Sequence, residues 1–388
     1  MRILMAAPLL PHPASTAGGA LVIYGELEVL ARRHEVTLVS FAGASPSDRA
    51  GLDAIRRLGV VVRAVWREPE RGWGTLQRRS RLVAGWLGSR DPLRALKFRH
   101  PAVQAELDAA ASDSRFDLVH VEDSAMGQYR LPAGVPAVLT EQDVRAGDEG
   151  PALQAARWHR YQAGVWRRFD RLQVYTARDA AGIRRLAPDL AGRVRVNPFG
   201  VTLEAAAAPG VEQEDEVVFV GGFHHPPNVD AVCWLVREIL PIVRTRRERV
   251  HLTIVGADPP RAVRALASGR VSVTGFVPAV SPFLDRAAVV LAPLRTGSGM
   301  RVKVLQALAR GKAVVATPLA ASGLAPEAPL LLADTAPRIA ELVVGLLNDA
   351  EGRRALGQRA RAFVSTHHSW EAFADRLASM YRELGVDG

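Results

Sequence analysis

Short runs of aliphatic and β-branched residues recur along this chain, each leading through a turn into a stretch of helical period, and this alternation restricts the fold more than any other feature. RILMAAPLL is followed by the turn PHPASTAGG, the helical pattern IYGELEVLARR and the strand pattern EVTLVSF, a strand–helix–strand unit. VVVRAV (60–65), DLVHVE (117–122), PAVLTEQ (136–142) and RLQVYT (171–176) are further strands, with the helical stretch ALQAARWHRYQAGVWRRF before the last. The order then repeats. EVVFVGGF (216–223), HLTIVG (251–256), RVSVTGFV (270–277), AAVVLAPL (287–294), KAVVAT (312–317) and PLLLA (329–333) are strands, and AVCWLVREILPIV is a helix. Strands that alternate with helices imply an α/β protein whose parallel sheets are covered on both faces.

A chain of 388 residues exceeds one comfortable core, so two domains are expected. The Pro- and Gly-containing, finally acidic stretch 197–216 reads as the linker, giving domains 1–200 and 201–368 and an amphipathic helix in 369–388. Two such halves imply a cleft, and open parallel sheets bind ligands beyond the carboxyl ends of their strands. The lone Cys233, read as a core residue, excludes an internal disulfide framework and points to a reducing, cytoplasmic setting. MRILMAAPLLPHP is read as a buried strand rather than a signal peptide, because Pro8 and Pro11 interrupt its apolar run. No unbroken apolar run is long enough to span a bilayer.

The net charge of +10 is concentrated: residues 56–100 hold twelve Lys/Arg against three Asp/Glu, interleaved with Trp66, Trp73 and Trp86. Either this segment meets an anionic membrane surface or a lipid diphosphate, or its arginines solvate helices whose tryptophans face inward. Nucleic acid is excluded as a partner, since no nucleic-acid motif accompanies the charge. The pairs His224-His225 and His367-His368 lack metal-ligand spacing, so no metal is assigned.

The loops after strands carry the chemistry. Gly221-Gly222, followed by Phe223 and His224, either brings backbone N–H groups to an anion or is simply a tight turn. In GSGMRVKVLQALARGKAVVAT (297–317), a helix starts close to Met300 with Arg301 and Lys303 in its first turn. Cations favour the opposite helix end, so their placement there calls for a bound diphosphate; solvated surface residues are the other reading. Phe276-Val277, after Gly275, offers main-chain groups to a nucleobase edge or is a plain turn. Gly18-Gly19 lie in the first strand-to-helix loop, either as a turn or facing the cleft. Alternation along VHVED sets His120 and Glu122 on one face.

VVFVGGFHHPPNVDAVCWLVREILPIV, LTIVG, VTGFVP and VVLAPLRTGSGMRVKVLQALARGKAVVATPLAASGL resemble, in order and spacing, the donor half of retaining glycosyltransferases of family 4, which have the GT-B fold. PHPASTAGGALVIYGELEVLARRHEVTLVSF resembles the opening of that family, and DPLRALKFRHPAV with VHVEDSAMGQY its exopolysaccharide branch. The resemblance implies two Rossmann-like domains facing across a cleft, with the C-terminal helix returning to the first. It further implies sugar transfer from a nucleotide diphosphate sugar to an acceptor hydroxyl, with retention and without a metal or other cofactor. Ser298, Gly299 and Met300 match a diphosphate loop together with Gly221 and Gly222, Arg301 and Lys303 match the charge neutralisers, and Phe276-Val277 the base loop. Ser298 and Gln306 stand where many relatives have two glutamates, so a non-catalytic nucleotide-sugar binder and an epimerase on the same fold are the alternatives. Glu122 stands where many relatives have histidine, as an acceptor-side group or a capping or salt-bridging carboxylate.

Overall fold

The computed structural model describes every residue except 14, 16, 17, 68–72, 143, 145–151, 205–209, 298–301 and 387–388; for 46, 47, 73–79 and 81 it describes the backbone only. The chain divides into two units, Met1–Phe199 with Phe373–Gly388, and Gly200–Ala372. The last helix, Trp370–Arg382, therefore belongs mostly to the first unit.

The first unit is built on seven strands: β1 Arg2–Ala7, β2 Glu35–Ala42, β3 Val61–Trp66, β4 Leu118–Glu122, β5 Ala137–Glu141, β6 Arg171–Val174 and β7 Val194–Val196. All pair in parallel, in the order β3-β2-β1-β4-β5-β6-β7. β4 and β5 are buried at every position, as strands covered on both faces must be. Leu4, Val39, Val119, Val121, Leu139, Trp166 and Phe169 form the core around them. Each such side chain contributes roughly 1.5–3 kcal/mol on burial. The short β7 is absent from the sequence reading because three residues show no period.

The second unit holds β8 Glu216–Val220, β9 His251–Val255, β10 Val271–Val273, β11 Val289–Ala292, β12 Ala313–Ala316 and β13 Leu331–Leu332. Their order, β10-β9-β8-β11-β12-β13, is again parallel throughout. In both sheets the strand order reverses beside the first strand, between β1 and β4 and between β8 and β11, and such switch points open a crevice at the carboxyl ends.

Several local details depart from the periodicity. Gly18 and Gly19 are the first residues of the helix Gly18–Ala31 rather than loop residues. The expected strand over 270–277 stops at Val273 because Gly275 adopts φ +73°, a left-handed conformation that ends the pleat. The helix from Pro226 widens into a π turn over Leu235–Ile239 just before Pro241, which lacks an N–H for regular pairing. Cys233 is only partly buried. No helix among the described residues is long and apolar enough to cross a membrane.

Candidate functional site

In the second unit, the turns after β8, β9 and β10 are tied to one another through their backbones. Gly221 N donates to Val255 O (2.9 Å), Phe223 N to Ala257 O (3.0 Å) and Gly256 N to Gly275 O (3.2 Å). A Cβ on Gly256 would lie 1.9 Å from Gly221 O, so only glycine permits this approach. Phe223 serves the same turn from inside: its ring is buried and stacks on Phe219 at 6.5 Å. His224 is exposed, with its ring 4.1 Å from that of His225.

Lys303 is brought to this turn from the helix Val302–Ala309, which has no acidic residue in its first turn. A Cβ on Gly221 would lie 2.9 Å from Lys303 Nζ, so the amine rests directly on the glycine. The amine donates to Asn228 Oδ1 and lies 5.3 Å from the centre of the Phe219 ring. Asn228 Nδ2 in turn donates to Gly222 O at 2.7 Å, so one buried amide locks lysine and glycine turn together. The sequence reading did not single out Asn228, since an amide shows no charge and no spacing signal. Gln306 is half-buried three positions after Lys303, on the same helical face. Ser298, Gly299, Met300 and Arg301 lie outside the described residues. Phe276 is 60% exposed beside the half-buried Val277, so its ring has a free face next to the linked turns. Arg295, after β11, forms a two-pronged ion pair with Asp230 (3.0 and 2.5 Å) and lies over the Trp234 ring at 4.9 Å.

In the first unit, a buried polar cluster forms at the carboxyl ends of β4 and β5. Glu122 accepts from Gln142 Nε2 at 3.1 Å, and its carboxyl is pushed up to about 7 chiefly by burial. It caps no helix and pairs with no Lys or Arg among the described residues. Gly19 makes room for that arrangement, since a Cβ there would lie 2.5 Å from Gln142 Oε1. His120 shares the face with Glu122, Nε2 to Oε1 at 3.5 Å. Its nitrogens meet Tyr381 OH at 2.7 Å and Thr140 Oγ1 at 2.6 Å, and burial drives its pKa down to about 3, so the ring is neutral. Gln173 donates to Thr140 Oγ1 at 2.9 Å and accepts from Asn197 Nδ2 at 2.9 Å.

Two carboxyl groups here escaped the sequence reading. Glu26, fully buried on the helix Gly18–Ala31, faces His120 Nε2 at 3.4 Å. Glu141 accepts from Trp166 Nε1 (2.7 Å), Gln162 Nε2 (3.3 Å) and Ser124 Oγ, and burial raises it to about 8. An acidic residue within a helix or strand normally reads as solvent-facing, which is why neither stood out.

Residues 214–349 match the family model described as glycosyl transferases group 1. No curated protein matches the sequence. Among solved structures, a sucrose-phosphate synthase from Thermosynechococcus elongatus is similar over 99% of both chains, at 17% identity and a TM-score of 0.70. HepE of Anabaena in complex with UDP is similar over 99% of this chain and 100% of that one, at 14% identity and a TM-score of 0.71. WaaG, a glycosyltransferase involved in lipopolysaccharide biosynthesis, is similar over 97% and 99%, at 17% identity and a TM-score of 0.63. The chain thus has the GT-B fold, two Rossmann-like α/β units, and its residues 214–349 match the model of group 1 glycosyl transferases.

Proposed function

We propose that the protein transfers a sugar, with retention of configuration and without a metal or other cofactor, from a nucleotide diphosphate sugar to an acceptor hydroxyl. One observation carries the reading: Lys303 is held against the Gly221 turn at the start of a helix, within the segment that matches the transferase family. A cation, open backbone and a helix start together suit a departing diphosphate, whose charge must be neutralised where it develops. Arg301 is the second cation of that site by its place in the sequence. Phe276 and Val277 take the base, and Gln306 accepts from a ribose hydroxyl through its amide oxygen. HepE is described with UDP and with UDP-glucose, so UDP-glucose is the first donor to offer this chain.

On the first unit, Glu122 acts through Gln142, whose amide it orients at the carboxyl edge of the sheet for an acceptor. The setting is cytoplasmic, with the basic segment 56–100 against the inner membrane face and a lipid-linked acceptor. The test of the donor site is Lys303→Ala. Removing a charge-assisted hydrogen bond costs about 1.5–3 kcal/mol, so UDP should bind roughly 10- to 150-fold more weakly and UDP-glucose hydrolysis should fall with it. A variant equal to the parent overturns the role of Lys303. A parent that binds nucleotide sugars without turnover supports the non-catalytic alternative, and one that neither binds nor hydrolyses any of a broad panel ends the proposal.

A further inference from the structure

Glu26 and Glu122 face each other in the closed interior of the first unit, both with no exposed surface. One oxygen of each and a nitrogen of His120 lie within 4.8 Å of one another. No donor among the described residues reaches either oxygen of Glu26 or Oε1 of Glu122 with hydrogen-bond geometry. The groups facing the pair come from four elements: His120 and the neighbouring Asp123 around β4, Thr140 and Gln142 around β5, Gln173 and Tyr175 around β6, and Tyr381 on the last helix. None of these is a cation at neutral pH, since His120 is neutral and tied at both nitrogens.

Two adjacent carboxylates without a counter-charge are not stable in such a place, because burial and mutual repulsion both disfavour the second ionisation. The missing positive charge has to be a proton or a metal ion. The proton is favoured, because the Thr140 hydroxyl at 2.6 Å already occupies the His120 nitrogen that faces the two carboxyls. We propose that Glu26 is a positioning residue that keeps one proton and donates it as a hydrogen bond to the Glu122 carboxylate, holding Glu122 ionised as the acceptor for Gln142. The asymmetry follows from the surroundings. Glu122 accepts the Gln142 N–H, which stabilises its charge, whereas Gln173 and Tyr175 lie beside Glu26 without completing hydrogen-bond geometry to it, and burial raises Glu26 well above the usual carboxylate range. The pair thus carries one negative charge, and the amide of Gln142 keeps one orientation beside Gly19.

This rests on the reading of Glu122 as an acceptor-side group, and the experiment separates the two. Infrared spectra of the full chain, recorded across pH for the parent, Glu26→Gln, Glu26→Ala and Glu122→Gln, report each protonated carboxyl by its carbonyl band; Glu141→Gln identifies the band of that third buried acid. Glu26→Gln should lose one band that persists through neutral pH in the parent, while leaving the ionisation of Glu122 near its parental midpoint, because the amide still donates. Glu26→Ala should move that midpoint up by about one pH unit or more, the worth of a donor to a charged carboxylate. The acidic limb of UDP-glucose hydrolysis should follow the same order. Should Glu26→Ala fail to fold, the parent, Glu26→Gln and Glu122→Gln spectra decide. An unchanged spectrum in Glu26→Gln, an unmoved midpoint in Glu26→Ala, or a stoichiometric metal ion lost from Glu26→Gln each overturns the proposal. If Glu122→Gln hydrolyses UDP-glucose normally while the bands behave as expected, the proton pair stands and the acceptor-side role of Glu122 falls.

Discussion

At the scale of single residues, the first unit hides ionisable groups that water would normally keep charged. Glu141 lies in the closed interior with its pKa raised from 4.5 to about 8, chiefly by burial and secondly by the nearby Asp123. The folded chain therefore keeps a proton that the unfolded chain releases, so stability is highest below pH 4.5 for this group and falls as pH rises toward 8. His120 works in the opposite sense: its folded pKa of about 3 against 6.5 makes stability rise with pH up to 6.5 and contribute no slope above it. Between pH 6.5 and 8, His120 adds no slope and Glu141 adds a falling one. Glu141→Gln keeps an acceptor for Trp166 and Ser124, so urea titrations should show stability falling less steeply over that window. The difference should approach about 1.4 kcal/mol per pH unit, one proton's worth. Identical slopes in parent and variant would mean that Glu141 titrates normally.

At the scale of elements, the proposed donor side rests on three turns whose backbones are bonded to one another. Gly256 lets the turns after β8 and β9 approach more closely than any side chain allows, Gly221 leaves room for the Lys303 amine, and Gly275, at φ +73°, ties the turn carrying Phe276 to them by accepting from Gly256 N. The exposed Phe276 ring contributes little to folding, as 60% of it is already in water. Base stacking on an aromatic ring is worth about 1–3 kcal/mol by alanine substitution. Phe276→Ala should therefore weaken UDP binding roughly 5- to 150-fold in calorimetry while the melting temperature holds. A melting temperature that drops while UDP affinity stays would assign the ring to packing. This turn was legible in the sequence as Gly-Phe-Val-Pro, but its bond to Gly256 in the turn after β9 was not, because periodicity is silent on which loops meet.

At the scale of the whole molecule, both sheets reverse their strand order beside their first strand, so the helix that begins at Gly18 and the turn at Gly221 each follow that strand. Charge is distributed less evenly. Of the twelve cations in 56–100, Arg56, Arg63, Arg94 and Arg99 form ion pairs within the first unit. Arg67 lies 3.5 Å from the centre of the Phe41 ring, and Trp86 Nε1 donates to Gln154 at 3.0 Å. The inward reading thus holds for part of the segment. Trp66, Val83 and Leu87 remain exposed there, at 56%, 53% and 71%. Exposed apolar side chains in a basic segment suit an anionic bilayer, where each Lys or Arg near the surface adds about 1 kcal/mol. The full chain should sediment with phosphatidylserine-containing vesicles at low salt and release at about 0.5 M salt, where screening is nearly complete beyond a few ångströms. Absence of binding at low salt would reject the membrane surface as its partner.

The sequence alone determined the α/β class, most of the strands, the glycine turns, the cation at the helix start and the shared face of His120 and Glu122. These are local properties, set by side-chain period, by the conformational freedom of glycine and by strand alternation. Only the tertiary structure decided that Asn228 grips Lys303, that Gly19 makes room for the Gln142 holding Glu122, and that Glu26 meets Glu122. Those contacts join residues far apart in the chain, and burial then changes their chemistry: a glutamate that reads as a surface charge becomes a neutral acid once folding removes its water.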